Sequence, residues 1–219
     1  MTLSYYRTYV TQEFVGVLFG VGKGTVSRVV QEISRCLAGV FRIPEKKVRI
    51  DPEDLEAVFV DATEQPVNRP TRRQRRRYSG KKKRHTVKHQ IVVTRKRTGP
   101  GQKQRVRIKA VSKAAKGSVR DKTAYDRSRL EIPPGVPESG DSGYQGSDLQ
   151  VPKKKPRKGP LGDEQTRSNR DLAKERMVAE HGIGKMKIWR IAADRYRNPT
   201  RRHTVMMKNV AGRHNRMYG

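Results

Sequence analysis

The sequence predicts an α/β fold: a mixed sheet flanked by helices, preceded by a small helical region. Three observations predict it. Strand-like stretches follow one another between residues 57 and 111, a long helical stretch runs from about Asp163 to Trp189, and two helical stretches broken by Gly20-Val21-Gly22-Lys23-Gly24 open the chain. The 219 residues are 33% hydrophobic and 33% charged, so the core must be modest and much of the length is basic surface. This suits one domain with a small appendage, expected here as a helical region at 1–45 and a larger domain at 55–215.

In chain order, residues 4–40 read as mostly helical. Phe14, Val15, Leu18 and Phe19 recur at helix spacing. The glycine-containing break follows, and a second helix runs from Thr25 to Leu37. Helix, turn, then a helix opening with small and basic residues is the helix-turn-helix pattern. It puts Lys23, Thr25, Ser27 and Arg28 nearest to DNA, with Val26, Val29, Val30 and Ile33 packed on Phe14 and Leu18. A plain helical hairpin fits the same residues. Gly22-Lys23 is no phosphate loop, because the positions that need Gly and Ser or Thr hold Val17 and Gly24.

Residues 51–56 form an acidic lead-in to a buried strand at 57–60. Arg69 to Lys88 is a basic tract with eleven Lys or Arg and no acid; residues 69–84 are expected as a basic loop. His85 to Thr94 alternates and then turns apolar, as a strand does. Thr98-Gly99-Pro100-Gly101 is a turn. Arg105 to Val111 alternates cleanly, which predicts a strand with one wet face. Residues 118–130 read as helix, Ile132-Pro133-Pro134-Gly135 as a break, and a short strand leads into Asp141. Residues 151–162 are a second basic loop. Gly182 and Gly184 weaken the long helix near its end. Three strands, a helix, a short strand and a long helix is the order of a ribonuclease H-like domain.

The net charge is +30, from 51 Lys and Arg against 21 Asp and Glu. Such a balance points to nucleic acid through phosphate neutralisation. Cys36 is the sole cysteine, so no disulfide forms within the chain and a reducing interior is expected. The longest apolar run, Phe14 to Val21, is far too short to span a bilayer, and the residues Met1 to Arg7 lack the charged and apolar regions of a secretory signal.

Against that charge, three carboxylates stand in distinctive settings. Asp61 ends the run Ala57-Val58-Phe59-Val60, Asp141 sits in the turn Glu138-Ser139-Gly140-Asp141-Ser142-Gly143, and Glu180 lies in the long helix. In a ribonuclease H-like order such acids converge. Phosphodiesters are cut by two divalent ions ~3.5–4 Å apart, and hard oxygen ligands suit them. Strand-end Asp61 and Asp141 would supply rigid ligands and Glu180 a longer, adjustable one. Singly, each has a plainer reading: Asp61 caps a turn, Asp141 is an ordinary turn Asp, and Glu180 pairs with Arg176 one helical turn away. Asp121 is a fourth candidate, with Glu64 and Asp126 behind it. The histidines and the cysteine show no zinc spacing.

At these residues the chain resembles a bacterial insertion-sequence transposase of the IS-five group, DDE-type, with the related Harbinger-like nuclease domain. Asp61-Ala62-Thr63-Glu64-Gln65-Pro66-Val67 is similar to the family's first aspartate motif. Tyr78-Ser79-Gly80-Lys81-Lys82-Lys83-Arg84-His85-Thr86 is similar to its basic stretch before the second strand. Gly140-Asp141-Ser142-Gly143-Tyr144-Gln145-Gly146 is similar to its second aspartate motif. Arg176, Glu180 and Lys187 match its Arg-x3-Glu-x6-Lys signature. Two positions depart: Ala173 stands for the Tyr before that signature, and Arg120 for the His before Asp121.

The resemblance implies a DNA transposase that hydrolyses DNA at an element's ends and joins the freed 3′ ends to target DNA. Asp61, Asp141 and Glu180 would be its catalytic residues and ligands for Mg²⁺ or Mn²⁺, with Asp121, Arg176 and Lys187 auxiliary. Lys81, Lys82, Lys83 and Arg84 would join the helix-turn-helix residues on DNA. The implied partner is double-stranded DNA, as terminal inverted repeats and target, bound by a homo-oligomer in the bacterial cytoplasm, with no membrane. The chain opens almost at the helix-turn-helix, so a shortened N-terminus is expected. With it stands the alternative of a catalytically inactive, transposase-derived DNA-binding remnant. A basic RNA-binding structural protein is a third reading.

Overall fold

The structure is a computed structural model and describes residues 1–50, 58–96, 105–156 and 159–219. Three helices open it: α1 Thr2–Thr8, α2 Gln12–Phe19 and α3 Lys23–Phe41. The Thr11 hydroxyl caps α2 by accepting from the Phe14 amide at 3.2 Å. Gly20, at φ 65°, ends α2 in the left-handed region that glycine adopts freely. The second helix starts two residues earlier than the sequence suggests and runs four further, past Leu37.

The packing of this pair differs from expectation. Phe14 is 57% exposed, Leu18 65% and Ile33 39%, so the seam is not built on them. Val15, Val26 and Val30 are buried instead. The apolar stripe on α2 is wider than its contact, and only the Val15–Gly16 side is enclosed. Helical spacing identifies a stripe, but the neighbours decide which part of it is covered.

The sheet contains β1 Val58–Pro66, β2 Tyr78–Ser79, β3 Arg84–Lys96, β4 Arg105–Val111, β5 Ala115–Lys116 and β6 Glu138–Gly140. Its order is β2-β3-β1-β6, with β4 and β5 also paired to β3. Strands β1, β3 and β4 are antiparallel, and β6 joins β1 in parallel. Helix α4 Asp121–Ser128 links β5 to β6, and α5 Asp163–Lys187 follows. The sheet is mixed and flanked by helices, as expected for a ribonuclease H-like domain.

Several local expectations change. Asp61 is not at a strand end: β1 continues through Ala62, Thr63, Glu64 and Gln65 to Pro66, paired throughout with β3. A turn cap at Asp61 is thereby excluded. Residues 69–84 are not all loop, since a 3-10 turn at Gln74–Arg77 leads into β2, which pairs with the start of β3. Helix α4 is shorter than residues 118–130. The last helices, α6 Arg190–Ala193 and α7 His203–Tyr218, had no counterpart in the sequence reading. The acidic lead-in, the turn at 98–101 and part of the second basic loop lie outside the described residues.

Two cores occupy the two faces of the sheet. Phe59, Ile91, Val93 and Ile108 join Ala179, Ile183 and Met186 of α5 and Met206 and Val210 of α7. Tyr5, Val15 and Val26 of the N-terminal helices belong to the same cluster. Val58, Val60, Val92 and Ala110 form the other core with Val48, Tyr144 and Leu149. A register shift places Val93 opposite Ile108 but Val92 opposite Ala110, which skips Lys109. The extra residue breaks the two-residue alternation, so Ile108 and Ala110 fall in opposite cores. With both faces covered, Ala110 and Val111 are both buried, and the wet face of β4 ends early. Helix α5 lies close on this sheet: a Cβ at Gly182 would fall 2.8 Å from Val106 Cγ1.

Candidate active site

The β1–β6 pairing sets the first two carboxylates. Val60 is the partner of Gly140, the last pair of that register. Asp61 and Asp141 each follow directly, Asp61 within β1 and Asp141 just past the end of the parallel β6. Asp61 shares the Phe59 side of β1, because side chains alternate along a strand. Helix α5 packs on that side, with Ala179 fully buried and Glu180 beside it at 53% side-chain exposure.

Electrostatics ties the acids together. Burial pushes the Asp61 carboxyl up to about 6. The charges of Asp141, Glu180 and Asp121 push the same way, while a hydrogen bond from the Ala62 amide opposes them. That amide lies 2.7 Å from Asp61 Oδ1. All four carboxylates therefore share one neighbourhood.

Each acid also has a local partner. Asp141 Oδ1 accepts from the Gly143 amide at 2.8 Å and starts a 3-10 turn over Ser142–Tyr144. Arg176 Nε forms an ion pair with Glu180 Oε1 at 3.1 Å. As the side chains stand, no three His, Cys, Asp or Glu among the described residues are arranged to hold a metal ion. The donor set still suits one: it is all carboxylate oxygen, and Asp61 is held in an excess of negative charge that a divalent cation would relieve.

Asp121 opens α4 and approaches the same turn. A Cβ at Gly143 would lie 2.9 Å from Asp141 Oδ1 and 3.3 Å from Asp121 Oδ2. Only glycine leaves room for both. Tyr144 is fully buried and its hydroxyl donates to Gln90 Oε1. Burial raises the Tyr144 phenol far above its ordinary value, helped by the charges of Asp61, Asp121 and Asp141. Neither Tyr144 nor Gln90 stood out in the sequence. Tyr144 lies within the Asp141 motif, but its depth depends on the second core.

The remaining predicted residues lie further out. Arg176 is half-buried and Lys187, the last residue of α5, is exposed. Lys23 pairs with Glu13, across the turn between α2 and α3. Arg28 donates to Thr25 Oγ1 at 3.3 Å and Ser27 Oγ accepts from Gln31 at 3.0 Å. Lys81, Lys82 and Lys83 form an exposed turn between β2 and β3, and exposed Arg84 opens β3. Asp126 pairs with Lys122 at 2.7 Å on the outer side of α4. Among the described residues no helix is long and apolar enough to cross a membrane.

A sheet of this order behind a helix-turn-helix region is the architecture of a DNA-acting nuclease of ribonuclease H-like type. The comparisons agree with that class. The chain belongs to the DDE superfamily endonucleases: that family matches residues 60–215, and the helix-turn-helix of DDE superfamily endonuclease matches residues 1–43. It is 31% identical over 223 residues to a Microchaete diplosiphon protein named as transposase for insertion sequence element IS702, covering 98% of this chain and 78% of the relative. It is 26% identical over 199 residues to a Streptomyces albus G protein named as transposase for insertion sequence element IS112, covering 89% and 69%. No solved structure gives a significant match.

Proposed function

We propose that this chain is a DNA transposase that hydrolyses phosphodiesters at the ends of an insertion sequence and joins the freed 3′ ends to target DNA. Its resemblance to the motifs of the IS-five group supports a place in that group. One observation carries the catalytic assignment: the β1–β6 register ends at Val60 and Gly140, so Asp61 and Asp141 follow it side by side, within the charge field of Glu180. Asp61 and Asp141 offer oxygens fixed by the sheet, and Glu180 offers one on a longer stem from α5. These three would hold Mg²⁺ or Mn²⁺, whose chemistry when bound is activation of the attacking oxygen and stabilisation of the leaving one. Arg176 and Lys187, one turn before and two turns after Glu180, meet backbone phosphates. Lys81, Lys82, Lys83 and Arg84 add affinity without sequence choice. Lys23, Thr25, Ser27 and Arg28 at the start of α3 read the terminal repeats. The enzyme works as a homo-oligomer on double-stranded DNA in the bacterial cytoplasm.

The test is Mg²⁺-dependent nicking of plasmid DNA by the purified chain. Asp61→Asn drops nicking to background while DNA binding holds or tightens, because a ligand and a repulsion toward phosphate leave together. Full nicking by this variant would overturn the assignment. A DNA-binding remnant would bind without nicking even with Asp61 in place. Arg28→Ala weakens binding to the element's ends more than to random DNA in a competition assay, and equal losses would reduce Arg28 to a phosphate contact.

A further inference from the structure

Lys88 lies on β3 directly opposite Glu64 of β1. Its side chain is only 6% exposed, yet it is a cation. Its ammonium donates to the Val119 carbonyl at 2.9 Å and to Asp121 Oδ1 at 3.0 Å, and lies 3.8 Å from Glu64 Oε2. Glu64 is as deep, at 8% exposure, and accepts from the Thr86 hydroxyl. Stability does not account for this trio. A buried ion pair is often no better than apolar side chains of the same volume, since desolvation offsets the attraction. What it does fix is position.

The two oxygens of Asp121 do different things. Oδ1 is taken by Lys88, and Oδ2 lies toward Gly143, the glycine that Asp141 Oδ1 also approaches. Two residues further along β3, on the same face, Gln90 anchors both loops. It accepts from the Tyr144 hydroxyl in the turn after Asp141, and its Nε2 donates to the Asp121 carbonyl at 3.4 Å. Thus one face of β3 holds the start of α4 through Lys88 and the Asp141 turn through Gln90.

The geometry points to Lys88 as a positioning residue that fixes Asp121 as a fourth carboxylate of the metal site, with Oδ1 tethered and Oδ2 free for the ion or one of its waters. This rests on the site reading above. Outer groups that orient metal ligands typically change metal affinity 10–100-fold when removed.

The experiment measures the Mn²⁺ concentration needed for half of the rise in melting temperature, and separately for half-maximal nicking, on the full chain. Asp121→Asn, which keeps a hydrogen-bond partner for Lys88, raises both midpoints on the order of 10–100-fold. Lys88→Met does the same, the double variant is no worse than the poorer single one, and Lys88→Arg recovers part of the response. Unchanged midpoints in Asp121→Asn overturn the inference whether or not Lys88→Met folds. Loss in Asp121→Asn with a normal Mn²⁺ response in Lys88→Met overturns the role of Lys88. Asp61→Asn runs alongside: if it also responds normally to Mn²⁺, the site reading itself falls, whereas its loss beside an unaffected Asp121→Asn removes only the fourth carboxylate.

Discussion

Asp61 and Glu64 sit three residues apart on one strand and face opposite sides of it. Both are acids at a sheet surface largely closed to water. Glu64 has a cation across the strand pair and a hydroxyl on its other oxygen. Asp61 has a single amide and three further acids around it. The fold neutralises one carboxylate in place and leaves the other under repulsion. A charge left under repulsion suits a site that something outside the chain completes, which supports the proposal that Asp61, and not the better-paired Glu64, is the functional acid.

That contrast can be broken by removing charges one at a time and following thermal or urea unfolding. The largest effect belongs to Lys88→Met. It leaves Glu64 and Asp121 buried without their cation and should lower stability by about 3–5 kcal/mol. A loss below 1 kcal/mol would mean that the trio is wet and the contrast overstated.

Asp61→Asn should act in the opposite direction. The folded carboxyl titrates near 6, above its ordinary 3.8, because of burial and then its acidic neighbours. Between those values the folded state holds a proton that the unfolded chain has released. Stability therefore falls as pH rises through this window, and the penalty is complete above it, at roughly 2–3 kcal/mol. Without divalent metal, Asp61→Asn should gain up to that amount at pH 8 and nothing at pH 4. A gain that persists at pH 4 would assign the effect to packing.

Thr86→Val gives the smallest change, about 1–2 kcal/mol, by removing one hydrogen bond to the Glu64 carboxylate. It should leave Mn²⁺-dependent nicking intact, since Lys88 keeps its bonds to Asp121 Oδ1 and the Val119 carbonyl. Loss of nicking at full stability would show that Glu64 also acts on the site through Lys88.

Strands β1, β3, β4 and β6 and their order along the chain were legible in the sequence because apolar alternation and glycine turns mark them directly, whereas the two-residue β2 and β5 carry no such mark. The length of β1 was not. Beyond Asp61 it runs through Thr63, Glu64 and Gln65, whose partners are polar. Gln65 donates to the carbonyls of Ile191 and Asp194 at 2.7 Å and accepts from His203, which in turn meets His89 at 2.8 Å. Buried polar chains of this kind carry no hydrophobic signature. Helix α7 escaped for a related reason, since Met206, Met207 and Val210 are buried in a stretch also rich in basic and polar residues. The exposed side of α2 was misread because periodicity shows which residues share a face, not what lies against it. Asp121 looked like an ordinary helix start, and only the folded turn at Gly143 shows how near it comes to Asp141.

The N-terminal helices share a core with the sheet and are stitched to the C-terminal segment that holds α7. Arg197 donates to the Tyr9 carbonyl, the Arg197 amide meets the Tyr9 hydroxyl at 2.6 Å, and Asn209 reaches the Ser34 carbonyl at 2.8 Å. If α3 grips DNA and Asp61 cuts it, as proposed, grip and cut are joined through this shared core and these hydrogen bonds. An enzyme built this way measures the gap from the sequence it grips to the bond it breaks. Adding half a helical turn of DNA between grip and cut should leave binding untouched and stop the break, because the duplex would present the wrong side of its backbone to Asp61.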